Sequence, residues 1–234
     1  MSRVHRRRRV VMLLAVAIVP LYFLIQFFLN PPPEPVITPI AEISSNEPFA
    51  IDELEKLEIK GRAPKTGYSR DEFGNGWGKW LTCDTRQQIL NRDLHDIKLD
   101  SDNCTVLSGV LDDPYTGETI NFTRGTSTSS AVQIDHVVAL SDAWQKGAQY
   151  WDKSKRVQLA NDELELLAVD GPANQQKSDG DAATWLPKNK AFRCQYIARQ
   201  IAIKVKYELR VTQAEHDAMS NVLNNCPQQR LPQP

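Results

Sequence analysis

The segment from Val132 to Val138 reads VQIDHVV and places a carboxylate and an imidazole, Asp135 and His136, side by side in an apolar run. Burying either group without a partner is costly in free energy, so the pair needs a chemical explanation. An imidazole takes up a proton near neutral pH, and a carboxylate oxygen is a hard ligand for a cation such as Mg²⁺. Together they predict activation of a water molecule beside a metal ion.

Two further groups follow in the run Asn174-Gln175-Gln176-Lys177, which begins 38 residues after His136. Asn174 offers an amide oxygen as a second metal ligand, and Lys177, one helical turn further on, can face the same anion. One divalent ion can both polarise a phosphate and stabilise a departing alkoxide. The pattern predicts a metal-dependent phosphodiesterase in which His136 is the base, Asp135 and Asn174 hold the ion, and Lys177 holds the phosphate.

These residues require a strand, a second strand and a helix to position them. The Asp-His pair lies on a predicted strand, 132–138, and a second apolar strand, 164–169, ends before Asp170-Gly171-Pro172. A short helix with the amide and the lysine should follow. On a regular strand the carboxylate and the imidazole would point to opposite faces. For both to reach one phosphate, the site requires a bulge, a strand end or a phosphate held at the strand edge.

The rest of the chain predicts an α+β fold in which helices and a small β-hairpin surround this unit. The hairpin comprises residues 104–111 and 119–122. His95 and His216 are interpreted as surface residues on helices. The predicted helices are 51–60, 84–94 capped by Asp84, 141–151 capped by Ser141, 190–207, and 212–225 with a capping box at Thr212-x-x-Glu215.

The N-terminal part of the chain indicates export. Residues 1–9 carry five arginines, and residues 10–29 carry no charge over a length that can cross a bilayer. We expect a cytoplasmic N-terminus, a signal anchor at 10–29 and a proline-rich tether at 30–48. A catalytic domain at 49–228, exported from the cell membrane, and a tail at 229–234 complete the organisation. A cleaved signal peptide, which would release a secreted protein, is the alternative.

Four cysteines fit an exported domain with two disulfides. Three connectivities are possible, and nearest-neighbour pairing, Cys83–Cys104 and Cys194–Cys226, is preferred because each pair brackets one compact segment. A zinc site is disfavoured, since there is no C-x-x-C and no histidine near any cysteine.

The charge balance restricts how the chain can bind a polyanion. Without its first nine residues the chain has 23 basic and 29 acidic residues, a formal charge of −6. This argues against tight sequence-independent binding of nucleic acid, though not against a nuclease with a local basic patch. Arg199, Lys206 and Arg210 are predicted to share one helical face, which is either that patch or an ordinary solvated surface.

The quoted residues resemble the HNH, or ββα-metal, nuclease superfamily. The resemblance rests on Ile134-Asp135-His136-Val137-Val138, on Ala160-Asn161-Asp162, on the run from Leu166 to Asn174, and on Lys177. A similar pattern occurs in the HNH domain of RNA-guided CRISPR nucleases. The resemblance implies that Asp135 is a metal ligand.

A wider match, covering nearly all of the exported domain, is to exported HNH endonucleases similar to the C-terminal domain of GmrSD-type restriction enzymes. It extends from Tyr68-Ser69-Arg70 through Cys83-Asp84-Thr85-Arg86 and Asp113-Pro114-Tyr115-Thr116-Gly117 to Cys226. Arg70 and Arg86 match family motif positions and are candidate nucleic-acid contacts. Salt bridges, for example with Asp71 or Asp84, are equally compatible with the sequence.

The resemblance implies His136 as general base, Asn174 as second ligand and cleavage that leaves a 5′-phosphate. It also reveals a departure. The middle asparagine of the superfamily pattern, which ties the two strands together, lies nine residues before the last ligand, and here that position is Glu165. Either Glu165 ties the two strands together as a hydrogen-bond acceptor only, or Asn161, four residues earlier, has that role.

The sequence therefore predicts a metal-dependent HNH endonuclease that uses one divalent ion, with Mg²⁺ expected before Mn²⁺, and DNA as the favoured substrate. Two alternatives remain open at this point. One is an extracellular binding domain on the same fold without turnover, and the other is a hydrolase of another phosphodiester polymer.

Overall fold

The computed structural model describes residues 47–80, 83–126 and 128–232. Helices and strands mix in an α+β fold, as predicted. The strands are β1 (Lys79–Trp80), β2 (Cys83–Asp84), β3 (His95–Leu99), β4 (Val106–Asp112), β5 (Thr119–Thr123), β6 (Val132–His136) and β7 (Leu166–Asp170). The α-helices are α1 (Ala50–Leu54), α2 (Thr85–Asp93), α3 (Leu140–Gln145), α4 (Lys153–Ala160), α5 (Gly171–Lys177), α6 (Arg193–Tyr207) and α7 (Gln213–Leu223). Single 3₁₀ turns lie at Arg70–Phe73, Ala148–Tyr150 and Lys190–Phe192.

Strands β6 and β7 form an antiparallel pair at the centre of the candidate site. Their register runs without a bulge from Val132 opposite Asp170 to His136 opposite Leu166. Strand β7 is buried over its first four residues, because apolar clusters cover both of its faces. Asp170 then caps α5 by accepting a hydrogen bond from the Ala173 amide at 2.8 Å. Strand, strand and helix thus follow in the predicted order.

A three-stranded antiparallel sheet has the order β3-β4-β5. The predicted hairpin corresponds to β4 and β5, and its turn is fixed by Asp113, which accepts from the Thr116 amide at 2.7 Å. Gly117 adopts a φ of 79° in this turn, a conformation that favours glycine. The edge strand β3 was not predicted. His95 lies on that strand and not on a helix, because pairing with β4 overrides the local pattern.

Both predicted disulfides are present. Cys83–Cys104 joins β2 to the segment before β4, and Cys194–Cys226 joins the first turn of α6 to the segment after α7. Their Cα atoms lie 5.6 and 6.4 Å apart, within the usual range for a bridge. Each disulfide therefore connects elements close in sequence, as expected.

Helices α6 and α7 cover the second apolar face of the central pair. Tyr196, Ile197 and Ile201 of α6 are fully buried. Thr212 caps α7 by accepting from the Glu215 amide at 3.2 Å, which is one half of the predicted capping box. The Glu215 carboxylate does not complete the box, because it turns into the interior.

The predicted helix over 141–151 is interrupted. Helix α3 ends at Gln145, and Gly147, with a φ of 144°, redirects the chain into a 3₁₀ turn. Ser141 lies inside α3 and is not its cap, since Ala139 holds that position. The following helix α4, whose first turn is capped by Asp152, was not predicted. Predicted helix 51–60 is also shorter than expected, since α1 ends at Leu54.

In the described part of the chain, three cations and three carboxylates form a largely buried network beneath α3. Its members are Arg62, Lys146, Lys204, Asp142, Asp181 and Glu215. The Lys146 ammonium is fully buried and lies 2.9 Å from Asp181 and 2.5 Å from Glu215. Its position neutralises carboxylates that would otherwise be costly to bury. The network connects α3, α6, α7 and the segment after α5.

The predicted basic N-terminus (1–9), the signal anchor (10–29) and the tether as far as residue 46 lie outside the described residues. Over the ranges that the structure does describe, no helix combines the length and apolar character needed to span a bilayer.

Candidate active site at the end of strand β6

His136 is the last residue of β6, and Asp135 and His136 line one cavity together although they belong to a regular strand. Of the three geometries considered for the pair, the strand register has no bulge, and the histidine lies at a strand end.

The imidazole of His136 is held in a defined state. Its Nε2 lies 3.0 Å from the carbonyl oxygen of Ala160, so this nitrogen donates and carries the proton. Burial lowers the pKa of His136 to about 3, the nearby cations Arg70 and Lys177 add to the shift, and the Ala160 hydrogen bond opposes it. His136 is therefore neutral near pH 7. Within the described residues its Nδ1 has no hydrogen-bond partner, which leaves that atom available as a base.

Asp135 is buried and accepts two hydrogen bonds. Lys177 Nζ donates to its Oδ1 at 2.9 Å, and the Tyr115 hydroxyl donates to its Oδ2. Burial raises the pKa of Asp135, whereas the charge of Lys177 and the hydrogen bonds from both partners oppose that rise. Because a carboxylate has about four lone-pair positions, these bonds do not use all of its capacity to accept.

Lys177 does not occupy the position predicted for it. Its ammonium is fully buried, and besides Asp135 it donates to the main-chain oxygen of His136 at 2.7 Å. If Lys177 turned to a phosphate instead, the Asp135 carboxylate would lose the cation that compensates its buried charge. The geometry thus makes Lys177 the residue that holds the Asp-His pair in place, and the prediction that it grips phosphate does not fit.

Glu165 and Asn161, the two candidates for the middle position, have distinct partners. Glu165 is fully buried, accepts from the Val138 amide at 3.1 Å through Oε2, and accepts from the Val137 amide at 2.8 Å through its main-chain oxygen. Burial raises its pKa well above the usual range, against the effects of the Val138 amide and Lys177. Glu165 therefore ties the segment after His136 to the approach to β7.

Asn161 has a different task. Its Oδ1 accepts from the Gly78 amide at 2.7 Å and from the Thr85 hydroxyl at 3.0 Å, and its Nδ2 donates to the Val157 oxygen at 2.9 Å. Asn161 thus fastens the glycine-rich loop around Trp77 to the end of α4.

Asn174 lies on α5 and shares a cavity with the Asp-His pair. Its Nδ2 donates to Gln133 Oε1 at 2.9 Å, which leaves its amide oxygen without a hydrogen-bond partner in the described part of the chain. The cavity has a volume of about 240 Å³. Its polar lining consists of Tyr68, Arg70, Asp135, His136, Asn174, Ser178 and Asp179.

A second cavity of about 150 Å³ adjoins the other side of His136. Arg70, His136 and Leu140 line both cavities, and Trp77 lines the second. Both cavities are therefore in contact with His136, and the exposed Arg70 lines both of them.

The other predicted nucleic-acid contacts lie elsewhere and have protein partners. Arg86 donates to the Val132 oxygen at 3.2 Å, and Arg199 donates to the Leu164 oxygen at 2.6 Å. Neither side chain lines the two cavities. Both guanidinium groups join main-chain segments of the fold.

The predicted basic face on α6 does not form. Lys206 Nζ lies 2.6 Å from Asp162, and Arg210, which is only 9% exposed, donates to the Gln145 oxygen. Arg210 also lies beyond the helix, because Glu208 adopts the left-handed conformation that ends α6. The predicted shared face is therefore wrong.

Several residues of the site were not identified from the sequence. Tyr115 was part of a quoted motif without a role, and Trp77, which lines the smaller cavity, was not named as a site residue. Asp179 and Tyr68 reach the larger cavity. The unusual φ of 49° at Ser178 turns the chain between α5 and Asp179. This positive φ at a non-glycine residue, which is uncommon, could not be read from the sequence.

Among the described residues, no group of three or more His, Cys, Asp or Glu side chains is arranged to hold a metal ion. Asp135 with Asn174 is not such a group, because it combines one carboxylate with one amide.

The mixed α+β fold with two disulfides holds the cavity beside His136, and comparisons with known proteins identify the family. The model of the C-terminal domain of GmrSD restriction endonucleases matches residues 84–222. An uncharacterized secreted protein of Arthroderma benhamiae is 36% identical over 200 residues, which cover 83% of this chain and 92% of that protein. No solved structure matches the chain. The chain belongs to the GmrSD C-terminal domain family, and this membership indicates a nuclease-like function.

Proposed function

We propose that this chain is a metal-dependent endonuclease of the HNH type that hydrolyses phosphodiester bonds of nucleic acid, with DNA as the favoured substrate. The observation that carries the proposal is the state of His136. The ring donates through Nε2 to Ala160, Nδ1 has no hydrogen-bond partner among the described residues, and the histidine lines a cavity together with Asp135 and Asn174. A general base needs this arrangement: a fixed ring, a defined proton position and a free basic atom in a cavity.

The surrounding elements support the same assignment. Antiparallel strands β6 and β7 are followed directly by α5, the order of a ββα-metal unit. Glu165 fills the middle position as an acceptor that ties the two strands, and Asn161 is left to organise the loop beside the histidine.

The donor set is compatible with one divalent cation of the Mg²⁺ or Mn²⁺ type. Asp135 and Asn174 would hold it through a carboxylate and an amide oxygen, both hard ligands, and the cavity has room for the waters that Mg²⁺ retains. The unpaired amide oxygen of Asn174 is the feature that fits such an ion. When bound, the cation supplies charge stabilisation for the phosphoryl oxygens and for the leaving oxygen.

The chain's own residues perform the remaining steps. His136 Nδ1 takes a proton from water, and the water oxygen attacks phosphorus. The bond from phosphorus to the 3′ oxygen breaks, and that oxygen leaves with the electron pair and takes a proton from solvent, so the other product carries a 5′-phosphate. Arg70, which is exposed and lines both cavities, holds the phosphate by charge-assisted hydrogen bonds. Lys177 and Tyr115 keep Asp135 in position throughout.

The proposed location is outside the cytoplasm. Two disulfides are typical of an exported domain, and the relative from Arthroderma benhamiae is described as secreted. We propose that residues 10–29 anchor the chain in the cell membrane, with release by signal cleavage as the alternative.

The test uses the full chain, purified oxidised in mild detergent. Plasmid DNA and RNA are incubated with it in Mg²⁺, Mn²⁺ or EDTA, and binding of Mg²⁺ is measured by calorimetry for wild type and Asn174→Ala. We expect metal-dependent nicking of DNA, and weaker ion binding by the variant. A folded chain that binds Mg²⁺ but cleaves neither polymer would contradict the proposal and favour a binding domain.

A further inference from the structure

Trp77 lies against the imidazole of His136. The two ring planes are 9° from parallel, and the ring centroids are 5.8 Å apart, an offset parallel arrangement within the range of attractive aromatic pairs. Trp77 is half-buried and lines the smaller cavity together with His136. The indole therefore bounds the imidazole on one side of the ring plane, whereas the Ala160 oxygen fixes the direction of Nε2.

The loop that carries Trp77 requires glycine at several positions. Gly74 and Gly76 adopt φ values of 110° and 84°, which side chains rarely allow. A Cβ atom added at Gly78 would lie 2.8 Å from the Oδ1 of Asn161, the atom that accepts the Gly78 amide. The close approach of loop and asparagine thus depends on glycine at position 78.

Asn161 connects both restraints on the imidazole. It follows Ala160, whose oxygen accepts from His136, and its side chain holds Gly78, which follows Trp77. The Thr85 hydroxyl lies 3.1 Å from the Gly78 oxygen and 3.0 Å from Asn161 Oδ1, and its one hydrogen is shared between these two acceptors. One short segment therefore fixes the hydrogen bond and the ring contact together.

We infer that Trp77 is a positioning residue for His136, held in register by the contact between Gly78 and Asn161, so that Nδ1 faces the cavity in which water is activated. This inference rests on the proposed nuclease function but makes a separate claim about the imidazole. Since Trp77 also packs against the apolar cluster around α2 and β4, loss of stability alone does not establish the role.

The kinetic test separates orientation from packing. In the full chain we expect Trp77→Leu to lower kcat about 10- to 100-fold with little change in KM, because misplacement of a catalytic group by about 1 Å can cost 100-fold. Trp77→Phe keeps a flat ring and should recover most of the activity. Gly78→Ala should reduce kcat without altering the indole itself.

The matched control is Trp151→Leu. Trp151 is also half-buried, but it packs on Tyr207 at 6.0 Å and lines neither cavity beside His136. We expect this variant to lose stability and to keep the wild-type kcat. An unchanged kcat in Trp77→Leu, or an equal loss in the control, would overturn the inference.

A spectroscopic test is independent of catalysis. In the chain labelled with ¹⁵N-histidine, long-range proton–nitrogen correlations should show His136 as a single Nε2–H tautomer with slow exchange of that hydrogen. Trp77→Leu should show mixed tautomers or exchange at least about tenfold faster, which corresponds to loss of about 1.4 kcal/mol of protection. An identical tautomer and exchange rate in the variant would refute the positioning role. If wild type cleaves nothing in any metal, the nuclease proposal fails, while this spectrum still decides the claim about Trp77.

Discussion

Replacement of Lys177 by methionine tests the buried pair on which the site is built. Methionine preserves most of the side-chain volume but removes the ammonium that lies 2.9 Å from Asp135 and 2.7 Å from the His136 oxygen. The carboxylate would then keep only the hydrogen bond from Tyr115. Removing one partner of a buried ion pair typically costs about 3–5 kcal/mol, because the other charge is left uncompensated.

We therefore expect Lys177→Met to lower the free energy of unfolding by about 3–5 kcal/mol, measured by urea denaturation of the oxidised chain. Lys98→Met, at an exposed position of β3, is the matched control and should change stability by less than about 0.5 kcal/mol. Adding Asp135→Asn to Lys177→Met removes the orphaned charge, so the double variant should lose less than the sum of the two single losses. If Lys177→Met stays within about 1 kcal/mol of wild type, the buried pair does not have the importance we assign to it.

Three further predictions concern other parts of the structure. Burial opposes the ionisation of Asp181, but Lys146 and other cations lower its pKa to about 2. The ionised carboxylate therefore adds roughly 2 kcal/mol to the free energy of unfolding above pH 4, and this stabilisation is lost as the pH falls toward 2. Unfolding measured as a function of acid pH should show the loss in wild type and not in Asp181→Asn. Glu165→Ala leaves the Val138 amide unpaired and should cost about 1–3 kcal/mol by urea denaturation, whereas Glu165→Gln, which keeps an acceptor, should cost less; equal losses would contradict the tying role. Arg70→Gln should raise KM for DNA more than it lowers kcat in steady-state cleavage assays, and an unchanged KM would exclude Arg70 as the phosphate contact.

The local order of strand, strand and helix was predictable because each part has its own signal. The apolar run of β7 ends at Asp170, which caps α5, and this cap sets the positions of Asn174 and Lys177 on the helix. The two disulfides were predictable for a similar reason, since each closes a short segment.

The partners of the charged residues were not predictable, because they come from segments far apart in the chain. Lys206 pairs with Asp162, and Arg199 binds the Leu164 oxygen, so the apparent basic face is used internally. A helical pattern gives the spacing of such residues but not what lies opposite them. The same limit explains why Lys177 was assigned to phosphate before its contact with Asp135 was known.

The residues around His136 were not predictable either, because they are also distant from it in the sequence. The ring is bounded by Trp77, 59 positions earlier, and by the Ala160 oxygen, 24 positions later. A main-chain oxygen that accepts a hydrogen bond cannot be predicted from the pattern of side chains. A tryptophan between glycines indicates a loop but does not show which residue the tryptophan contacts. The sequence thus provided the candidate site residues, whereas the structure was needed to show how they are held.

The most direct test of the account is cleavage of plasmid DNA by wild type and by His136→Ala under single-turnover conditions with Mg²⁺. Because general-base catalysis contributes about 10²- to 10⁴-fold, we expect the variant to lose at least about 100-fold in rate while its circular dichroism and melting remain close to wild type. A folded His136→Ala that nicks DNA as fast as wild type would contradict the assignment of the base and, with it, the proposed active site.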